Sequence, residues 1–367
     1  MSKLLRYALV GDGESPHLLK WARALAPLVD VWVCSSRGFA PELAALVPAE
    51  KRLALQTHPA HGGGNVALLR HVPTVGRWLR RVDADWINPH YLTSHGTLVL
   101  LAHKLFGLRG RVLASAWGSD ILQTPQRNAV YKHVTQAVLR HADLCTSDSR
   151  HMATVMQQLG ARRVEVFPFG LEALPPAPAQ PKQPWLFYAN RGLEPIYQPL
   201  RVLELFRSIA AWQPQAQLVV AHTGSQLAAL QDGVQRAGLQ SRVQFVGLLS
   251  ANEQAHWYDR AQWYISLPQS DSVAVSVLEA MAHGCIPLLN DLPANRELVQ
   301  DRQNGWIVPQ EWGVTSRAQE DVADEAVVLP ALLAQAADIA AHNRNWVRQH
   351  GLFPSAVQQL MQILQSL

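Results

Sequence analysis

Two carboxylates stand close to a run of small residues in the second half of the chain. Asp271 and Glu279 are eight residues apart around the predicted start of a helix, and Ser272, Ala274 and Ser276 lie between them. Small side chains leave backbone N–H groups open to a ligand, and the N–H groups and dipole of a helix N-terminus favour an anion. Carboxylates accept hydrogen bonds and therefore suit hydroxyl groups. The segment predicts a site for a ligand with phosphate and hydroxyl groups, such as a nucleotide sugar.

The residues after Glu279 carry the signals of a helix that ends and is followed by a strand. Residues 279–282 continue the helix, and His283 lies near its end. Gly284 is well placed as its C-cap. The apolar run 285–290 then predicts a short buried strand.

Other polar residues follow predicted strands elsewhere in the chain. Arg191 comes directly after the first strand of the second half, and Gly11 and Gly13 come after the first strand of the chain. Glycines at such a turn allow a ligand to approach the backbone closely. A dinucleotide-binding motif would need a third glycine where Pro16 stands, so the sequence disfavours a dinucleotide-binding site.

Three further positions are candidates in the first half. His90 follows the strand 86–89, and the turn Trp117 to Asp120 follows the strand 111–116. His17 begins the first helix, where it either faces a ligand or has a capping or core role. Asp120 either orients a ligand or caps the next turn.

An alternation of strands and helices positions these residues. In the first half, strands are predicted at 5–10, 31–35, 86–89, 111–116, 144–147 and 164–167, with helices at 17–28 and 150–159. In the second half, strands are predicted at 185–189, 218–221, 243–246, 263–266 and 285–289, with helices at 199–212, 328–350 and 354–367. This order is typical of parallel sheets with helices on both faces.

A proline-rich linker at 174–184 divides the chain, because five prolines in eleven residues cannot continue a helix or a strand. We therefore predict an α/β protein with two doubly wound, Rossmann-like domains facing each other across a cleft, at 1–173 and 185–349. A last helix within 350–367 is expected to pack back on the N-terminal domain. Ligands of such sheets bind at the carboxyl ends of the strands.

The charge is divided unevenly between the two halves. The net charge of +4 is the sum of +8 in residues 1–180 and −4 in residues 181–367. The basic half contains the arginine-rich, amphipathic stretch 65–81, which Pro73 interrupts. It is either an ordinary domain helix with a solvated basic face, or a surface for an anionic membrane or a lipid-diphosphate acceptor. Nucleic acid fits the composition no better than these partners and is not expected as a partner.

The cysteines and the N-terminus indicate a reducing compartment. Cys34, Cys145 and Cys285 lie in apolar, strand-like contexts without zinc-ligand spacing. We recognise no signal peptide and no apolar run long enough to span a bilayer. The protein is expected in the cytoplasm, either free or at the inner face of the cell membrane.

These motifs together resemble glycosyltransferase family 4, retaining enzymes of the GT-B fold, in its bacterial surface-polysaccharide type. The family pattern is Glu, seven residues, Glu-Ala-Met/Leu-Ala and then a Gly before a Pro. Here Glu279 begins Glu-Ala-Met-Ala, Gly284 precedes Pro287, and Asn304-Gly305 also matches. The chain departs from the pattern where Asp271 replaces the first Glu. It also lacks the family's Lys after Arg191 and its His near Trp117.

The resemblance implies a role for each site residue. Glu279 would accept hydrogen bonds from the donor ribose and Asp271 would hold hydroxyls of the transferred sugar, while Arg191 would clamp the diphosphate, alone or with Arg201. The implied donor-binding set is Gly13, Arg191, Gly247, Leu248, Ser272, Val273, Ala274, Val275 and Glu279. The implied catalytic set is Arg191, Asp271, Asp120 and His90, and the implied acceptor-side set is His17, His90 and Trp117.

The resulting expectation is a retaining glycosyltransferase that moves a hexosyl or N-acetylhexosaminyl group from a nucleotide diphosphate to a hydroxyl of a glycan or lipid-linked glycan. UDP is the expected carrier on family grounds, and no cofactor or metal is expected. Two other classes stay open. One is an epimerase or phosphorylase on the same fold, and the other is a protein that binds sugar nucleotides without catalysis.

Overall fold

The computed structural model describes residues 4–57, 66–310, 312 and 318–367. The contacts within the chain divide it into two compact units. Unit 1 comprises Met1–Pro168 with Phe353–Leu367, and unit 2 comprises Phe169–Leu352. Each unit is built around its own parallel sheet.

Unit 1 contains a seven-stranded parallel sheet. Its strands are β1 (Arg6–Gly11), β2 (Asp30–Ser35), β3 (Arg52–Ala54), β4 (Trp86–Pro89), β5 (Arg111–Ser115), β6 (Leu144–Ser147) and β7 (Val164–Val166). The order across the sheet is β3-β2-β1-β4-β5-β6-β7. The inner strand β1 is buried from Tyr7 to Val10. Burial on both faces explains why its sequence is a continuous apolar run.

Helices cover the sheet of unit 1. They are α1 (Pro16–Leu25), α2 (Pro41–Leu46), α3 (Val66–Leu69), α4 (Val72–Val82), α5 (Thr97–Phe106), α6 (Ser119–Leu122), α7 (Ala129–His141) and α8 (Arg150–Gln158). Helix α1 begins at Pro16 because the Ser15 hydroxyl accepts a hydrogen bond from the His17 N–H, at 3.2 Å. The predicted helix at 65–81 is divided into α3 and α4, and Pro73 lies in the first turn of α4, where its missing N–H costs nothing.

Unit 2 contains a six-stranded parallel sheet. Its strands are β8 (Gln183–Ala189), β9 (Gln217–Ala221), β10 (Val243–Gly247), β11 (Ala261–Ser266), β12 (Ile286–Asn290) and β13 (Trp306–Val308). The order is β10-β9-β8-β11-β12-β13, so the winding reverses between β8 and β11. In open α/β sheets, this reversal point is where ligands bind, at the carboxyl ends of the strands.

The helices of unit 2 are α9 (Pro199–Trp212), α10 (Leu227–Arg236), α11 (Ala251–Arg260), α12 (Val275–Ala282), α13 (Ala318–Ala334) and α14 (Ala336–His350). The last helix of the chain, α15 (Phe353–Ser366), belongs to unit 1. Its Phe353 packs edge-on against Trp21 of α1, with ring centroids 5.1 Å apart.

The predicted single helix at 328–350 is wrong. The structure has two helices, α13 and α14, which meet at Gln335 with a bend of 77°. The bend lets α13 pack on α9 while α14 packs on α12. No single helix among the described residues is long and apolar enough to cross a membrane, although α13 from Asp324 and α14 together meet the length and composition criteria as a bent pair.

The end of the proline-rich linker is tied into unit 2. Strand β8 begins at Gln183, so the last two residues of the predicted linker belong to the sheet. The ammonium group of Lys182 donates hydrogen bonds to the carbonyls of Tyr258 and Ala261, at 2.6 and 3.0 Å. A cation here satisfies carbonyls at the C-terminal end of α11 and complements the helix dipole.

Candidate functional site

The sequence-predicted pair Arg191 and Asp271 meets at the reversal point of the unit 2 sheet. Arg191 follows β8 and Asp271 lies in the loop after β11. Arg191 Nη2 and Asp271 Oδ2 are 2.7 Å apart, in the arrangement of an ion pair rather than an aligned hydrogen bond. The other carboxylate oxygen of Asp271 accepts the N–H of Ser272 at 3.0 Å. The structure thus brings together the expected phosphate-binding cation and a carboxylate.

The guanidinium of Arg191 is held from several sides. Its Cζ lies 4.5 Å from the ring centroid of Tyr197, and Nη1 is 3.5 Å from the Ser276 hydroxyl. Burial lowers the pKa of Arg191, but the neighbouring Asp271 carboxylate raises it, and the net shift is upward. The side chain is therefore a fixed, permanent cation at the carboxyl ends of the strands.

Helix α12 starts beside this cation without a side-chain cap. Ala274 occupies the N-cap position, and no side chain there accepts a hydrogen bond from the first turn. Ser272 and Val273 before it are buried, with 2% and 6% exposure. Together with Arg191, which contacts Ser276 in the first turn, an uncapped N-terminus can bind an anion.

Glu279 lies one turn further along α12. Its Oε2 is 3.1 Å from the hydroxyl of Tyr258, a residue of α11 that is 2% exposed. The residue as a whole is half-buried. An acceptor-only, charged group suits a pair of neighbouring hydroxyls.

Gly247 and Leu248 lie at the carboxyl end of the edge strand β10. Gly247 has a φ of 70°, a backbone conformation that favours glycine, and no atom lies within 4 Å of the position a Cβ would take. Its carbonyl accepts the N–H of His222. Leu248 is 67% exposed. An open glycine beside an exposed leucine leaves backbone and apolar surface for a ligand.

The Arg201 guanidinium is used by a neighbouring segment of the fold. Its guanidinium donates to the carbonyls of Pro309 and Gln310, at 2.7 and 3.3 Å. It holds the segment after β13 in place. Tyr197, in the region where the family has its Lys, packs on the Arg191 guanidinium.

In unit 1, Gly13 is used by the fold itself. Its N–H donates to the Ser35 hydroxyl at 2.8 Å, and its carbonyl accepts the N–H of Ala40. A Cβ at Gly13 would lie 2.6 Å from the carbonyl oxygen of Gly38. The close contact between these two loops is sufficient reason for a glycine here.

His90 is a buried, neutral residue that holds Trp117. The indole N–H of Trp117 donates to His90 Nδ1 at 3.2 Å, so the ring proton is on Nε2, which lies 3.0 Å from Asn88 Oδ1. Burial lowers the pKa of His90 to about 3. Both ring nitrogens are engaged, so this arrangement leaves none to accept a proton from a substrate. The ring of His17 packs on Trp117 with centroids 4.5 Å apart.

Asp120 is a buried carboxylate that joins two loops. It accepts the N–H groups of Leu92 and Trp117, at 2.8 and 2.9 Å, and its side chain is fully buried. Burial raises its pKa to about 6, although these backbone hydrogen bonds oppose the rise. The geometry is that of a residue that positions these two loops, and the catalytic role that the resemblance implies for Asp120 stays a prediction.

The groups that support the site could not be predicted from the sequence. Asn190, Tyr258 and Tyr264 form a hydrogen-bonded cluster under Arg191 and Glu279. The only sequence signal was the place of Asn190 at the end of a strand, next to Arg191. Tyr91 was also missed. It has a strained φ of 71° directly before the π-helix Leu92–Gly96, a combination that often occurs at functional sites.

The described residues contain no group of three or more His, Cys, Asp or Glu side chains that is arranged to hold a metal ion. The three cysteines are buried and unpaired by disulfides.

Comparison with known proteins identifies two matching regions. Residues 6–149 match the family model described as glycosyl transferase 4-like, and residues 172–325 match the model of glycosyl transferases group 1. A comparison with curated proteins found no match.

Several solved structures are similar over almost the whole chain. Anabaena HepE in complex with UDP and glucose has a TM-score of 0.76 at 16% identity, over 99% of this chain and 100% of that chain. Sucrose-phosphate synthase from Thermosynechococcus elongatus has a TM-score of 0.77 at 16% identity, over 99% and 98%. The apo form of the lipopolysaccharide outer core galactosyltransferase WaaB has a TM-score of 0.72 at 16% identity, over 99% and 100%.

Proposed function

Because this chain is a glycosyltransferase built on the GT-B fold, we propose that it transfers a sugar from a UDP-sugar to a hydroxyl of a glycan or lipid-linked glycan, with retention of configuration. The observation that carries the proposal is the Arg191 cation beside the uncapped N-terminus of α12, with Glu279 one turn away. Similar solved structures contain UDP with glucose, in HepE, and UDP with GlcNAc, in a pneumococcal O-GlcNAc transferase.

Each part of the donor has a matching group in unit 2. The diphosphate binds Arg191 and the N–H groups of residues 272–276, the ribose hydroxyls bind Glu279, and the sugar hydroxyls bind Asp271. Gly247 and Leu248 flank the base. Glu279 lies one turn along α12 from these first amides, so the diphosphate and the ribose have separate partners on this helix.

Transfer requires stabilisation of a sugar cation and of a departing diphosphate. Arg191 and the first amides of α12 lie where the charge of the diphosphate would develop. We assign no side chain of the described residues as a nucleophile, and we propose that the acceptor hydroxyl attacks on the face that the diphosphate leaves. The departing phosphate oxygen takes the proton of the acceptor. The reaction is proposed to need no metal, so excess EDTA should leave the rate unchanged.

Acceptor binding is assigned to the aromatic cluster of unit 1. Trp117 and His17 present ring surfaces, while His90 and Asp120 hold the Trp117 loop from beneath. In this assignment His90 and Asp120 act through Trp117 and do not contact the substrate.

The test is product analysis with purified protein. UDP-glucose, UDP-galactose and UDP-GlcNAc are each offered with a set of glycan acceptors, and UDP release and the anomeric configuration of the product are measured. Arg191→Ala should lower kcat by about 10²–10³-fold, the range for removal of one charge-stabilising group. Arg207→Ala, on the exposed side of α9, is the matched control and should keep the wild-type rate.

Five results would contradict the proposal. Full activity of Arg191→Ala would contradict the central role of Arg191. A product with inverted anomeric configuration would contradict the retaining mechanism. Conversion of the donor sugar without any acceptor would indicate an epimerase, and a requirement for free phosphate would indicate a phosphorylase. Binding of UDP-sugars without turnover under all conditions would indicate a protein without catalytic activity.

We further propose that unit 1 contacts an anionic membrane from the cytoplasmic side. The apolar side of α4, with Trp78, is buried in the core, so this helix does not insert. Instead it presents Arg77, Arg80 and Arg81 outward, and α4 itself contains no acidic residue. Leu105 at the end of the adjacent helix α5 is 71% exposed. Basic side chains near such a surface each contribute about 1 kcal/mol.

Sedimentation with lipid vesicles tests this contact. Wild type should bind vesicles with anionic lipid at low salt and neutral vesicles weakly. The double variant Arg77→Glu, Arg81→Glu should lose this binding, whereas the control Arg207→Glu, Arg236→Glu in unit 2 should retain it. Equal binding by both double variants would exclude the α4 surface.

A further inference from the structure

A buried cluster of polar side chains connects the site residues of unit 2 from below. Asn190 follows β8 and is 9% exposed. Its Nδ2 donates to Gln254 Oε1 and to the Tyr258 hydroxyl, at 2.7 and 2.8 Å, and its Oδ1 accepts from the Tyr264 hydroxyl at 2.8 Å. Gln254 Nε2 in turn donates to the carbonyl of Leu249 at 3.3 Å. Every hydrogen-bonding group of the Asn190 amide is used.

The direction of these hydrogen bonds determines where the Tyr258 proton points. An amide NH2 group only donates, so the Tyr258 oxygen is the acceptor of the bond from Asn190. Its own single proton is left for the Glu279 carboxylate at 3.1 Å or the Ser276 carbonyl at 3.2 Å. A charged carboxylate is the stronger acceptor. The cluster therefore directs the Tyr258 proton to Glu279.

We propose that Tyr258 and Asn190 are positioning residues for recognition of the donor ribose. Tyr258 fixes the Glu279 carboxylate in the orientation that accepts the ribose hydroxyls, and Asn190 fixes Tyr258. The inference rests on the proposed function, because it takes Glu279 as the ribose-binding group. Asn190 is also the neighbour of Arg191 in the chain, so the same loop after β8 carries the residue assigned to the diphosphate and the one that holds Tyr258.

The surroundings keep Tyr258 in a single orientation. Its ring stacks on His283 at 5.4 Å and 17°, and packs edge-on against Tyr188 at 5.1 Å. His283 is itself held by Asp259, with Nδ1 and Oδ1 2.7 Å apart. With the ring fixed on two sides, loss of the hydroxyl alone should change the hydrogen bond to Glu279 and little of the packing.

The experiment compares the affinities for UDP and 2′,3′-dideoxy-UDP, measured by calorimetry. Wild type should bind UDP at least about tenfold more tightly, because a hydrogen bond to a charged group contributes on this order. Tyr258→Phe should lower this ratio severalfold by weakening UDP binding alone. In turnover it should raise KM and leave kcat nearly unchanged, as expected for loss of uniform binding.

Tyr188→Phe is the matched control. Tyr188 is a buried tyrosine in the same cluster, and its hydroxyl has no hydrogen-bond partner within the described residues. It should keep the wild-type ratio. Asn190→Ala tests the second positioning residue. Because Asn190 fixes Tyr258, this variant should also lower the affinity ratio. In the double variant Tyr258→Phe, Glu279→Gln, the effect of the tyrosine substitution should disappear.

The outcomes separate this inference from the proposed function. If wild type binds both nucleotides equally, Glu279 does not recognise the ribose. The assignment of Glu279 in the proposed function and the positioning role of Tyr258 then both fail. If wild type discriminates and Tyr258→Phe discriminates equally, Glu279 keeps its role and the positioning by Tyr258 is overturned. If Tyr258→Phe and Tyr188→Phe lowered the affinity ratio equally, the cluster would have only a packing role.

Discussion

Two opposite charges neutralise each other at the donor site in the structure. Asp271 lies 2.7 Å from Arg191, the group to which we assign the donor diphosphate. A diphosphate must compete with this carboxylate for the guanidinium. A sugar whose hydroxyls draw Asp271 away would relieve the competition, so the pair couples recognition of the sugar to binding of the phosphate.

Replacement of Asp271 should separate these two effects. Asp271→Asn keeps the shape but removes the charge, so UDP alone should bind more tightly, by about three- to tenfold for a partly buried ion pair. The kcat/KM for the complete donor should fall by about tenfold or more, because the charged contacts to the sugar hydroxyls are lost. Calorimetry with UDP and steady-state kinetics measure the two quantities.

Asp271→Glu is the control that keeps the charge. It restores the residue usual in the resembled family and should bind UDP about as wild type does, with an altered preference among donor sugars. If Asp271→Asn instead weakened UDP binding, the carboxylate would be holding Arg191 in position rather than competing for it.

His90 should make the stability of the protein sensitive to acid. Burial lowers its pKa to about 3, whereas the ordinary value is 6.5. Between these values the unfolded state binds a proton that the folded state does not. The free energy of unfolding therefore falls as the pH falls from 6.5 towards 3, by about 1.4 kcal/mol per pH unit for one such group.

The variant His90→Gln tests this effect, because Gln can still accept from Trp117 and donate to Asn88. Its urea midpoint should change less than that of wild type between pH 7 and pH 5. His95, with a pKa lowered by burial to about 4, acts in the same direction in both proteins. Asp120, with a pKa raised by burial to about 6, acts in the opposite direction. A parallel pH dependence in the two proteins would show that His90 is protonated in the fold.

The residues that could be predicted from the sequence are those with a characteristic spacing. The order of the elements places three such residues near the carboxyl ends of the unit 2 strands: Arg191 after β8, Asp271 after β11 and Glu279 in α12. In the structure, Arg191 and Asp271 are in contact. Gly13 and His90 could not be assigned in the same way. Their hydrogen-bonding groups are used by distant parts of the fold, and a local pattern does not reveal these partners.

At the scale of elements, the start of α12 leaves its helix dipole uncapped. Six- to eight-residue helices gain little from propensity alone, and a missing N-cap costs about 1 kcal/mol. Helix α12 has eight residues and Ala274 at its N-cap. The loss is offset by burial, since Val277, Leu278 and Met281 lie in the core. The open N-terminus is then available to a ligand.

A better cap should stabilise the helix and damage the site. Ala274→Asp should raise the free energy of unfolding by about 0.5–1 kcal/mol, because an Asp side chain accepts the free N–H groups and complements the dipole. Its charge occupies the place of the diphosphate, so UDP binding should fall by at least about tenfold. Thermal unfolding and calorimetry on the same preparation measure both changes.

Ala274→Ser provides the comparison, since a hydroxyl caps the helix without a charge. It should stabilise less and weaken UDP binding less than Ala274→Asp. Undiminished UDP affinity in Ala274→Asp would mean that the diphosphate does not bind at this helix end.

Most strands could be predicted from apolar patterns, whereas several helices could not. Strands β1 and β11 are buried over five or six residues, which produces a recognisable run. The three-residue strand β7 also matches a predicted strand, but the three-residue edge strands β3 and β13 match none. Helices α5, α7, α10 and α11 match no predicted helix. The bend at Gln335 also has no local signal, because it depends on which neighbour each half of the helix packs against.

At the scale of the whole molecule, the division into two α/β units could be inferred from the proline-rich segment and the repeated alternation of strands and helices. The predicted architecture is confirmed by the two parallel sheets and by the matching glycosyltransferase structures. The three residues to which we assign donor binding, Arg191, Asp271 and Glu279, all belong to unit 2. Donor binding should therefore stabilise unit 2 more directly than unit 1.

UDP should protect unit 2 more than unit 1. A ligand at a hundred times its dissociation constant stabilises the state that binds it by about 2.7 kcal/mol. If the binding groups lie in unit 2, hydrogen exchange in β8, β11 and α12 should slow by up to about a hundredfold, while β1 and β4 change little. Mass spectrometry of peptides from both units measures this directly, and Arg191→Ala, which should show no protection at the same UDP concentration, is the control. Equal protection of β1 would show that unit 1 contributes donor contacts of its own, which would return Gly13 and its loop to the donor site.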